Sequence, residues 1–128
     1  MNLNSALKIS STGLAAERFR MDVISSNIAN ANSMKIGDKM PYRRRIVELS
    51  GTEDGVQIAG IKEDQAPFRE VVDPNNPNAD SRGVVTYANI EPVNEMVNMM
   101  SASRAYEANI AAFNSAKGMI KEALNIGR

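Results

Sequence analysis

Residues 91–128 read EPVNEMVNMMSASRAYEANIAAFNSAKGMIKEALNIGR, and after Pro92 no further proline occurs. Pro92 suits a first helical position, where its missing N–H would have no intrahelical partner anyway. Steps of three and four from there pick out Met96, Met99, Ser103, Tyr106, Ile110, Phe113, Lys117, Ile120 and Leu124, and seven of these nine are apolar. Gly127 offers a C-terminal stop. The spacing predicts one long core helix over 92–128.

A matching segment opens the chain. The same stepping gives Leu3, Leu7, Ser10, Leu14, Glu17, Met21, Ile24, Ile28 and Ala31, again seven apolar positions of nine, which predicts a core helix within 1–33. Gly13 is its weak point, at about 1 kcal/mol relative to alanine in a helix interior. Each helix would run on the order of 45–50 Å, beyond the roughly 30 Å diameter of so small a globule. The two stripes are expected to cover each other as a coiled-coil-like pair. Alanines 15, 16, 29, 105, 108, 111 and 112 flank the stripes and would let further helices approach closely, which favours self-association.

Residues 34–91 differ in character. They hold four of the five prolines and are punctuated by Gly37, Gly51, Gly55, Gly60 and Gly83. Strand-like runs lie at 42–49, 56–61, 68–72 and 84–87, and DPNNPNADSRG at 73–83 reads as a turn-forming loop. The expected fold is mainly α, with a small β-rich insert as a central strand-and-loop region.

Composition narrows the function. The 128 residues include no cysteine, no histidine and no tryptophan. Thiolate chemistry, disulfides and the commonest metal ligand and general base are therefore missing. No Walker loop, nucleophile elbow or dinucleotide fingerprint occurs, so no catalytic or cofactor-binding residue is assigned and the chain is not expected to be an enzyme. Alanine at 16 positions and few aromatics suit closely packed helices. No apolar run is long enough to cross a membrane, and the N-terminus lacks the pattern of a cleavable secretory signal.

Lysines and arginines equal aspartates and glutamates at 15 each, but residues 1–50 carry +4, residues 51–91 carry −5 and residues 92–128 carry +1. This pattern suits contacts between copies better than binding of nucleic acid. Arg43, Arg44 and Arg45 do not form a one-sided basic patch, because alternate residues of a strand face opposite ways. A calcium loop counted from Asp73 would need ligands at its fifth and twelfth positions, where Pro77 and Val84 stand, so no metal site is assigned. Met96, Met99 and Met100 read as adaptable helix packing, with a promiscuous binding groove as the sharper alternative. The run SSNIANANS at 25–33 reads equally as a frayed helix end and as a polar ladder joining helices.

Four blocks carry a resemblance. SSNIANANS at 25–33, PYRRR at 41–45, DPNNPNADSRG at 73–83 and EPVNEMVNMMSASRAYEANI at 91–110 resemble the bacterial flagellar basal-body rod proteins, and their proximal-rod members most. Asn27, Asn30 and Asn32 lie in the first block, while Ser103, Arg104, Ala105, Tyr106, Glu107 and Asn109 form the most specific part of the last. Ser33, Val84 and Ala88 depart from the usual Thr, aromatic and Pro.

The resemblance implies a structural subunit of the proximal rod that assembles helically and transmits torque from motor to hook. It also implies partners: copies of itself, other rod proteins, the flagellar export apparatus and basal-body rings. It places the chain in the periplasmic rod, exported without a cleaved signal. Two other classes share the helical features, namely another axial or secretion-system filament subunit and a soluble coiled-coil adaptor.

Overall fold

A computed structural model describes residues 2–127. The element order is α1 (Leu3–Ala29), β1 (Arg45–Thr52), β2 (Gly55–Glu63), β3 (Arg69–Val72), β4 (Val84–Tyr87) and α2 (Pro92–Ile126). The mainly α reading with a strand-and-loop insert holds. The outer limits expected at Met1 and Arg128 lie outside the described residues.

Local chemistry sets the helix ends. Asn2 caps α1, its Oδ1 accepting from Ser5 N at 2.7 Å. At the other end Asn30 N bonds both Ser26 O and Asn27 O, and Asn30 Nδ2 donates to Ser26 O at 2.7 Å. Side-chain and backbone groups thus satisfy the last carbonyls, and α1 stops at Ala29, short of the expected limit at residue 33. Pro92 opens α2 as expected, and Glu95 N bonds Glu91 O in its first turn.

The strands form two separate two-stranded sheets, β1 with β2 and β3 with β4. A two-residue connection, Glu53 and Asp54, makes the first pair an antiparallel hairpin. In the second, Arg69 pairs with Tyr87 and Val72 with Val84, also antiparallel. The first strand was expected over 42–49 but runs from Arg45 to Thr52. Tyr42 N bonds the Ser33 hydroxyl and Arg44 N bonds Asn89 Oδ1, so side chains take the amides that a ladder would use.

The chain divides into two compact units, and both long helices and both hairpin strands contribute to each. One unit contains Val23–Ile46 and Ile61–Met99. Its core is Ala31, Ala88 and Ile90, with Tyr42 packed against them and Val85 fully buried. The other contains the N-terminal segment up to Asp22, Val47–Gly60 and the segment from Met100 onward. Its buried positions are small: Ser10, Ala16, Ala102 and Ala116. A core of small side chains is what the alanine-rich composition anticipates, because contact between backbones needs short residues.

Candidate functional site

In the unit that holds the start of α2, a polar hub joins four segments. Asn27, fully buried on α1, donates from Nδ2 to Arg45 O at 2.9 Å and accepts at Oδ1 from Arg45 N at 3.0 Å. The same Nδ2 reaches Glu95 Oε2 at 3.3 Å. Glu95, only 1% exposed, receives Arg44 Nε in a short charge-assisted hydrogen bond. Arg44 also pairs with Asp64 at 3.2 Å. Asn89 Nδ2 donates to the carbonyls of Asp64 and Ala66.

The electrostatics follow from these partners. Burial works against the Arg44 charge, but hydrogen bonds and attraction from Glu95 and Asp64 outweigh it and hold the guanidinium above its ordinary value. The Asp64 carboxyl is lowered, first by the backbone N–H of Ala66 and then by Arg44. Partnered in this way, the hub is structural: its hydrogen bonds tie the end of α1 to the start of α2.

Arg43 and Arg45 serve other neighbours. Arg43 lies 4.2 Å from the Phe68 ring centroid and donates to the carbonyls of Asp64 and Ala66. Arg45 lies 5.3 Å from the Tyr42 ring centroid. In the 73–83 loop, Asp80 Oδ1 accepts from Arg82 N and Val84 N, so the carboxylate folds its own turn. Those two backbone hydrogen bonds, Val84 first, lower the Asp80 carboxyl.

The other unit has two close approaches. A Cβ on Gly13 would sit 2.8 Å from Asn109 Oδ1, so glycine lets that side chain reach α1. The helix cost assigned to Gly13 thus has a packing reason. On the hairpin, Gly55 has φ +126, and a Cβ there would collide with the Thr12 hydroxyl. Thr12 Oγ1 accepts from Val56 N at 3.1 Å and donates to Ile9 O at 2.7 Å. An exposed pair, Lys8 with Asp54 at 3.5 Å, lies beside it.

The expected stripes are brought inside only in part. On α1, Leu3, Leu7, Leu14, Met21 and Ile28 are half-buried and Ile24 is buried. On α2, Met99, Tyr106, Phe113 and Ile120 are half-buried, whereas Met96, Ile110 and Leu124 are 53%, 37% and 67% exposed. The alternate positions of the α2 stripe shift by one residue, because Glu95, Ala102 and Ala116 are buried and Asn109 is half-buried, whereas Met96, Ile110 and Lys117 of the expected set are exposed and Ser103 is half-buried. Choosing the largest apolar residue at each step misses a contact row made of small and polar ones. The methionine group divides likewise, with Met99 inward and Met96 and Met100 exposed.

Of the motif residues, Asn27 is the buried hub and Asn30 a helix-end cap, so the 25–33 run both ties segments and closes a helix. Asn32, Arg104 and Glu107 are exposed, while Ser103, Ala105, Tyr106 and Asn109 are half-buried. Sequence reading missed Arg44, Asp64, Asn89 and Glu95. The available signal was a lone glutamate in line with Met99, Ala102 and Tyr106.

Comparison with known proteins gives the same answer over the whole chain. Residues 7–33 match the family model described as "Flagella basal body rod protein", and residues 81–126 match "Flagellar basal body rod FlgEFG protein C-terminal". The chain is 40% identical to the flagellar basal-body rod protein FlgC of Salmonella typhimurium, with all of each chain covered. It is 39% identical to FlgC of Bacillus subtilis over 96% of this chain and 97% of that one, and 42% identical to FlgC of Aquifex aeolicus over 91% of each. Terminal helices, the insert between them and full-length identity agree: the chain belongs to the rod protein C family, as a structural, non-enzymatic subunit of the proximal rod of the flagellar basal body.

Proposed function

We propose that the chain builds the rod by helical self-assembly, its two long helices forming a coiled-coil-like core that carries torque from motor to hook. The observation that supports this reading is the exposure of stripe residues Met96, Ile110 and Leu124, large apolar side chains that their own fold leaves uncovered. Together with Leu3, Leu7, Leu14, Met21, Ile24, Ile28, Met99, Tyr106, Phe113 and Ile120 they make up the stripes assigned to assembly. Interlocked helices resist twisting because each displaced side chain loses many small contacts at once.

The same reading makes the partners other copies, neighbouring rod proteins and basal-body rings. It places the subunit in the periplasmic rod, delivered by the flagellar export apparatus without cleavage of a signal. No helix among the described residues is long and apolar enough to cross a membrane. Imaging of intact basal bodies with this chain traced tests the proposal. Helically arranged copies with their terminal helices inward are expected, and a single unrepeated copy or outward-facing helices would overturn it.

A further inference from the structure

A cleft of about 400 Å³ opens beside the start of β1, lined by Met40, Tyr42, Arg43, Arg45, Glu63 and Phe68 among others. Its cations outnumber its single carboxylate, Glu63. Arg43 is held by carbonyls, but Arg45 is exposed and rests against the Tyr42 ring. Met40 is exposed at the cleft as well. The lining therefore offers a positive charge beside apolar and aromatic surface, which suits an acidic segment that carries apolar side chains.

The chain itself contains such a segment. Residues 47–60 hold Glu48, Glu53 and Asp54 and no lysine or arginine. Glu53 is exposed at the turn of the hairpin, and Asp54 pairs with the largely exposed Lys8. Leu49 and Ile58, on the two strands leading into that turn, are exposed apolar residues. Charge and hydropathy thus match between the cleft and the hairpin, in keeping with +4 on residues 1–50 and −5 on residues 51–91.

We propose that the Met40–Phe68 cleft receives the β1–β2 turn of a second copy, with Glu53 of one chain pairing with Arg45 of the next. The proposal rests on the rod assignment and adds the contact that links neighbouring copies outside the terminal helices.

The absence of cysteine makes the test clean. Arg45→Cys and Glu53→Cys chains, one of them tagged, are expressed together in a strain lacking its own copy. Purified basal bodies are then treated with a bismaleimide, which spans more than a disulfide can. A cross-linked dimer that needs both cysteines is expected. Arg45→Glu or Glu53→Arg alone is expected to lose swimming, and the two together to restore it. Both cysteine chains present in basal bodies without a dimer, or joined only to a different protein, would overturn the proposal. If Arg45→Cys is not incorporated, Met40→Cys, at another residue lining the cleft, provides the same reading. Absence of the unsubstituted chain from basal bodies would instead overturn the rod assignment, and the proposal with it.

Discussion

Asn27 and Glu95, 68 positions apart in sequence and both buried, share a hydrogen bond at 3.3 Å. The contact joins the last turns of the first helix to the first turn of the second, and Arg44 completes it from the β1 side. Removing Glu95 takes from Arg44 its buried partner, so Glu95→Ala is expected to lower stability by about 3 kcal/mol, the modest end of the range because Arg44 keeps Asp64. Glu95→Gln, which retains an acceptor, should cost less. Urea unfolding midpoints of the two variants check the order.

Gly13→Ala would stabilise an exposed helix by about 1 kcal/mol. Here the added Cβ meets the Asn109 amide at 2.8 Å, so a loss of stability is expected instead. Combining it with Asn109→Ala should recover part of that loss, a coupling of about 1 kcal/mol in a double-mutant cycle.

At the hairpin, Gly55→Ala places a side chain in a backbone conformation that disfavours it and drives a Cβ into Thr12. A cost above about 2 kcal/mol is expected from the two effects together. Thr12→Val, which removes the acceptor for Val56 N–H and the donor to Ile9 O without a steric clash, should cost about 1 kcal/mol. Hydrogen exchange at Val56 reads both, with faster exchange in each variant.

Folding depresses the Asp64 carboxyl below its ordinary 3.8. A group lowered in the folded state contributes stability above its unfolded pKa and loses it as pH falls through the folded one. The stability gap between the parent and Asp64→Asn should therefore be full at neutral pH and close as pH falls through and below the ordinary carboxylate range. Thermal melts across that window measure it.

Assembly and folding are separable by exposure. Ile24 is buried, so Ile24→Asp buries an unpaired charge and is expected to unfold its unit. Ile110 is partly exposed in the free chain, so Ile110→Asp should melt near the parent temperature yet be absent from purified basal bodies, with swimming lost. Ile28→Asp, at a half-buried position, should show both defects. Normal rods with Ile110→Asp would remove that residue from the interface.

Helix period, Pro92 and the turn-rich centre made the two helices and the four short strands legible, since each depends on local chemistry: apolar spacing along a helix, steric limits at proline, and the glycines and prolines that punctuate the centre. The +4, −5 and +1 segments, the absence of histidine and cysteine, and the four motif blocks likewise belong to the sequence alone. Which face of each helix turns inward did not. Glu95, Ala102, Asn109 and Ala116 occupy the inward row of α2 because helices approach where side chains are short, and because Arg44 and Asn27 arrive from distant segments to satisfy a glutamate that sequence reading would leave in water. Periodicity along one helix sets the spacing of a contact row, but its register is decided by the partners that fill it, and those meet only in the tertiary structure.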